Sequence, residues 1–120
     1  MRALLYQILQ AVLLASAAPF SGGLIVDYPA PEPTIPVLLS WGGESDFAVG
    51  QNFHTFANDL IADLLGGGHA VIACDHGQGH TRIPDWSDYV LQFFADHPRG
   101  VTSPYTDSLP MVFPGFCTIQ

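Results

Sequence analysis

Two stretches of this chain hold side chains whose types and spacing suit proton transfer. The first, Trp41-Gly42-Gly43-Glu44-Ser45-Asp46-Phe47-Ala48-Val49, sets two acids just past an apolar run. The second is Cys74-Asp75-His76-Gly77-Gln78-Gly79-His80-Thr81-Arg82-Ile83-Pro84. A triad acid must hold an imidazole in one tautomer and stabilise its charged form, which asks for a short, fixed carboxylate. Asp46 meets that demand better than Glu44, whose longer side chain follows a freely turning Gly-Gly pair. Asp46 is equally suited to cap the N-terminus of a helix behind it. A general base must be exposed on a turn, within reach of acid and nucleophile; His80, after Gly79 and ahead of a proline, fits that role. His76, nearer the preceding apolar run, is the reserve choice.

A nucleophile is harder to find. The strained strand-to-helix elbow of serine hydrolases needs glycines two before and two after the serine. No serine in the chain has both. Ser45 comes nearest, with Gly43 before it but Phe47 where a side chain would clash, and it is the weak candidate. His69, Cys74, His76 and His80 are also metal-ligand types crowded into twelve positions. At strand rise, however, His69 and Cys74 stand about 16 Å apart and cannot share an ion. A set of His76, His80 and an acid stays geometrically open, but the sequence is read with no metal site and no cofactor. His54 lies off the apolar face of its helix, and His97 sits at a helix end, placed to cap rather than react.

The elements that must position these loops can be read from the periodicity. Residues 35–41 form a continuous apolar run bounded by proline and glycine, as in a strand buried on both faces. From Gln51 the period changes: Phe53, Phe56, Ala57, Leu60, Ile61 and Leu64 fall on one face of a helix, stopped by Gly66-Gly67-Gly68. Residues 69–74 read as a second buried strand. Pro84 suits the first turn of a last helix whose apolar face is Trp86, Tyr89, Val90, Phe93 and Phe94, ended by His97-Pro98. Residues 99–120 form a turn-rich, irregular surface tail pinned by Tyr105, Phe113 and Phe116. Strand, helix, strand, helix implies a right-handed βαβ crossover and a short parallel sheet of about three strands with flanking helices. Function then gathers beyond the carboxyl ends of the strands, where both loops lie.

Upstream, residues 1–18 carry two readings. A charged start, an apolar middle and a small-residue exit resemble a secretory signal. The stripe Leu4, Leu5, Ile8, Val12 and Leu13 equally suits an amphipathic core helix, followed by a short strand at 17–20 and the Ser21-Gly22-Gly23 turn. Four prolines make 29–36 a connector.

Composition sets the outer limits. A chain of 120 residues, 48% hydrophobic and 12% charged, has the make-up of one globular domain. Eleven acids against Arg2, Arg82 and Arg99, with no lysine, give a net charge of -8 and no basic stripe for phosphates, so nucleic acid is excluded as a partner. No run is long and uninterrupted enough for a stable membrane span. Cys74 and Cys117 are suited either to pair in an oxidising compartment or to remain thiols.

The order of PVLLSWGGESD, an amphipathic helix, GGGHAVIACDHGQGHTRIP and an aromatic helix ending in FFADHP resembles the C-terminal part of an α/β-hydrolase. The likeness is to secreted esterases of the polyhydroxybutyrate depolymerase and feruloyl esterase type, and it spans 35–98. It implies Asp46 as the acid in a G-x-x-D setting with Gly43, and His80 as the base in a looser G-H-x-x-P setting with Gly79 and Pro84. It also favours the helix over the signal peptide at the N-terminus, as the helix that follows a nucleophile elbow. The expectation is an α/β domain, a partial α/β-hydrolase fold, acting on a polymeric or aromatic ester. Its nucleophile and oxyanion hole would come from a missing N-terminal half, leaving the isolated chain nearly inactive. The alternative is a small secreted binding or structural module with hydrolase-like architecture.

Overall fold

A computed structural model of the chain describes residues 15–21, 34–81 and 83–120. The helix expected over residues 3–15, apart from Ala15, and most of the proline connector fall outside them, as does the choice between core helix and signal peptide. In chain order the elements are β1 (Val37–Trp41), a 3-10 turn (Gly43–Ser45), β2 (Phe47–Ala48), β3 (Gln51–Asn52), α1 (Phe53–Gly66), β4 (Val71–Asp75), α2 (Trp86–Asp96) and β5 (Cys117–Ile119). Together they make a small mixed α/β domain.

β1 and β4 are short, apolar and almost wholly buried, because a helix covers each face of their sheet. They pair in parallel, in register from Val37 with Val71 to Trp41 with Asp75. Side chains alternate along a strand. Val37, Leu39, Trp41, Val71 and Ala73 therefore pack with Ala57, Leu60, Ile61 and Leu64 of α1. Leu38, Ile72 and Cys74 face the other way, onto Tyr89, Val90 and Phe93 of α2. Each large side chain buried in this way contributes about 1.5–3 kcal/mol.

Along the other side of β1 runs the segment 15–21, parallel to it. Ala17 N–H donates to Pro36 O at 3.1 Å, Leu38 N–H to Ala17 O at 2.9 Å, Ser40 N–H to Pro19 O at 3.0 Å and Ser21 N–H to Ser40 O at 2.7 Å. The expected all-parallel sheet is corrected at the opposite edge. There β5 lies antiparallel on β4, pairing Cys74 with Cys117, so the sheet is mixed. The tail is irregular only as far as Phe116, and it is no mere surface cover: Tyr105 and Phe113 are buried in the α2-side core. Cys74 and Cys117 form a disulfide across the strand pair, with Cα atoms 4.1 Å apart. Such a bond is compatible with an extracellular protein.

The helix ends follow local chemistry. Asn52 caps α1, its side chain accepting from Thr55 N–H at 3.2 Å, so Asp46 is not the cap. Pro84 lies in the turn ahead of α2 rather than in its first turn, and Asp85 takes a left-handed conformation (φ 61°) at the helix start. Of the expected apolar face of α2, Phe94 stays largely exposed. No helix of the described residues is long and apolar enough to cross a membrane. The described elements do not make a complete α/β-hydrolase fold.

Candidate functional site

Because β1 and β4 are adjacent and parallel, their carboxyl ends deliver 42–50 and 75–81 side by side. The loops are fastened backbone to backbone: His76 N–H donates to Trp41 O at 3.0 Å and Gly79 N–H to Gly42 O at 2.9 Å. The approach is so close that a Cβ on Gly42 would fall on the Gly79 carbonyl, so only glycine serves at 42. After Gly43 (φ 76°) the 3-10 turn closes through Asp46 N–H to Gly43 O at 3.0 Å, which turns Asp46 back over the strand ends.

There Asp46 is fully buried and ringed by donors. Its Oδ2 accepts from Gly42 N–H at 2.8 Å and from Ser21 Oγ at 2.7 Å, while Oδ1 lies 2.8 Å from His80 Nδ1. Burial acts to raise the carboxyl's pKa. The bonds from Gly42, Ser21 and His80, with the His80 charge, outweigh burial and hold it below the ordinary aspartate range. A carboxylate accepts only, so the facing ring nitrogen carries a proton and Nε2 is left to act as base. His80 is 45% exposed, and its ring stacks on Phe53, centroids 4.9 Å apart and planes 21° from parallel. Phe53 is itself tied in, its N–H donating to Asp46 O at 2.9 Å. The acid is thus fixed and dry, and the histidine is oriented by acid and aromatic while one edge meets solvent.

The other candidates are placed elsewhere. His76 is not brought to Asp46: its Nδ1 accepts from Gln78 N–H at 3.1 Å and its ring lies edge-on to Phe116. Ser45 ends the exposed 3-10 turn rather than a strand-to-helix elbow, and among the described residues no hydrogen bond joins it to His80. Of the residues considered for a metal, Cys74 is consumed by the disulfide, and His69 is buried with Nδ1 3.0 Å from both the nitrogen and the oxygen of Ile35. Among the described residues no three His, Cys, Asp or Glu side chains are grouped to hold an ion. His54 accepts from Trp41 Nε1 at 3.0 Å.

Two contributors escaped sequence reasoning. Ser21 reads as a turn residue, and its part at the site depends on 15–21 lying beside β1. Phe53 reads as a core position of α1, yet it is also the platform for His80.

No protein-family model, curated protein or solved structure matches the chain. The geometry of the site therefore carries the functional reading.

Proposed function

We propose that Asp46 and His80 are the acid and base of a serine-type ester hydrolase whose nucleophile elbow is supplied by a companion segment. The observation that carries this reading is the pairing of His80 Nδ1 with Asp46 Oδ1 at 2.8 Å, the acid buried and the histidine open on its other edge. In the reaction Asp46 orients His80 and stabilises its imidazolium. His80 Nε2 takes the proton of the attacking serine and passes it to the leaving alcohol. It then takes a proton from water as the acyl-serine is cleaved. The motif order of 35–98, read as resembling secreted depolymerases and feruloyl esterases, points this proposal to an ester as substrate, polymeric or aromatic, and to an extracellular setting, with which the disulfide is compatible.

Mapping the 5′ end of the transcript tests this directly. An in-frame G-x-S-x-G upstream of Met1 is the expected result, and a nearby stop codon without that motif counts against it. If the extended polypeptide exists, His80→Ala should lower its kcat on p-nitrophenyl esters by at least about a thousandfold. On the 120-residue chain alone, p-nitrophenyl ester turnover that disappears in His80→Ala would show that these residues already contain the nucleophile for this site.

A further inference from the structure

A serine–histidine pair lies outside this site, on the stretch that leaves α2. His97 is 1% exposed, with Nδ1 2.6 Å from the Phe93 carbonyl oxygen. A carbonyl only accepts, so the ring proton sits on Nδ1 and Nε2 keeps its lone pair. Nε2 is 2.7 Å from Ser103 Oγ, which therefore points its hydrogen at the ring. Tyr105 N–H donates to the same Oγ at 3.2 Å and fixes its position.

An activated serine needs a base within hydrogen-bond reach whose far nitrogen is held by a third group. The Phe93 carbonyl is that group here. Asp96, the residue before His97, adds a charge. Hydrogen bonds from Gln92 Nε2 (3.0 Å to each oxygen) and Tyr105 OH (2.7 Å) outweigh burial and keep its carboxyl below the ordinary range. That carboxylate stands one residue from the ring that takes the Ser103 proton.

Ser103 is only half-buried, and it lines a cavity of about 590 Å³ together with Ile35, Gly68, Ala70, Arg99 and Thr106. This cavity opens where β1 and β4 begin. Asp46 and His80 stand where those strands end, about 17 Å away along five residues of strand.

We infer that Ser103 is a nucleophile supplied by this chain itself, activated by His97, which takes the acyl group of a carboxylic ester entering that cavity. Its oxygen bonds to the carbonyl carbon and its proton passes to His97 Nε2. The carbon–oxygen bond to the alcohol breaks, and the alcohol leaves with that proton. Water then attacks the acyl-serine, giving one proton to Nε2 that returns to Ser103 as the acid departs.

Diisopropyl fluorophosphate on the 120-residue chain probes the same first step. The Oγ–P bond forms as P–F breaks, fluoride leaves and the proton goes to His97. Peptide mapping by tandem mass spectrometry should place one adduct on Ser103. It should be absent from chain held in denaturant and form at least about a hundredfold more slowly in His97→Gln. Near-ultraviolet circular dichroism checks that the variant is folded; should it not be, the comparison of native with denatured wild-type chain decides. No adduct on the native chain, equal labelling in denaturant, or an adduct on Ser45 or Ser21 instead would overturn the inference.

Discussion

A buried carboxylate without donors around it takes up a proton and can no longer orient an imidazole. Asp46 stays ionised because three groups point hydrogens at it, and two of them, Gly42 N–H and Ser21 Oγ, converge on Oδ2. That convergence fixes the outcome of Asp46→Asn. The amide oxygen must take the Oδ2 position, because a backbone N–H can only donate. The amide NH₂ then faces His80 Nδ1 and drives the ring proton to Nε2, where it blocks the proposed base action; nitrogen-15 NMR of His80 should show the switched tautomer. Ser21→Ala removes a hydrogen bond to a charge and should cost about 1.5–3 kcal/mol at neutral pH, read from urea midpoints. Because the folded pKa of Asp46 is depressed, its contribution is complete above the unfolded aspartate value of about 3.9 and lost as pH falls through the lower folded value. Ser21→Ala should narrow that window, so the stability difference from wild type shrinks in acid. Asp46 and His80 were legible in the sequence because each follows an apolar run and a glycine turn. Ser21 was not, since its contact spans 25 positions and depends on which strand pairs with which.

At the level of elements, hydrophobic period announced β1, α1, β4 and α2, and it failed where periods are too short to register. β5 has three residues, one of them exposed Thr118, and owes its place to pairing with β4 and to the disulfide rather than to any pattern of its own. The β2–β3 hairpin was equally silent, being two residues a side around Val49-Gly50. Both turn residues have positive φ, 52° and 74°, as in a type I′ turn, where asparagine or glycine is preferred. Val49 is β-branched, and at 96% exposure it gains nothing from burial there. Val49→Asn should relieve that strain and raise stability by about 1 kcal/mol, measured by thermal or urea unfolding.

At the scale of the whole molecule, two apolar cores of the described residues share one sheet, and β5 is fastened to the middle of it. Cys74 and Cys117 are 43 positions apart, and a cross-link closing a loop of that size is worth about 4 kcal/mol on the chain-entropy account. Reduction with a thiol under native conditions should lower the urea midpoint by a corresponding amount. The sequence could not decide between a bond and two thiols, because that depends on antiparallel pairing of a strand it did not reveal.

The same bond changes what a broken backbone means. Arg99 stands exposed in the turn after α2, and the chain has no lysine, so trypsin has few places to cut. A nick there would leave residues 100–120 tied to the rest through Cys74, with Tyr105 and Phe113 still seated in the core. On a gel the nicked protein would run as one band without reductant and as two with it. Cleavage and separation are then different events, and the redox state of the surroundings decides whether the first leads to the second.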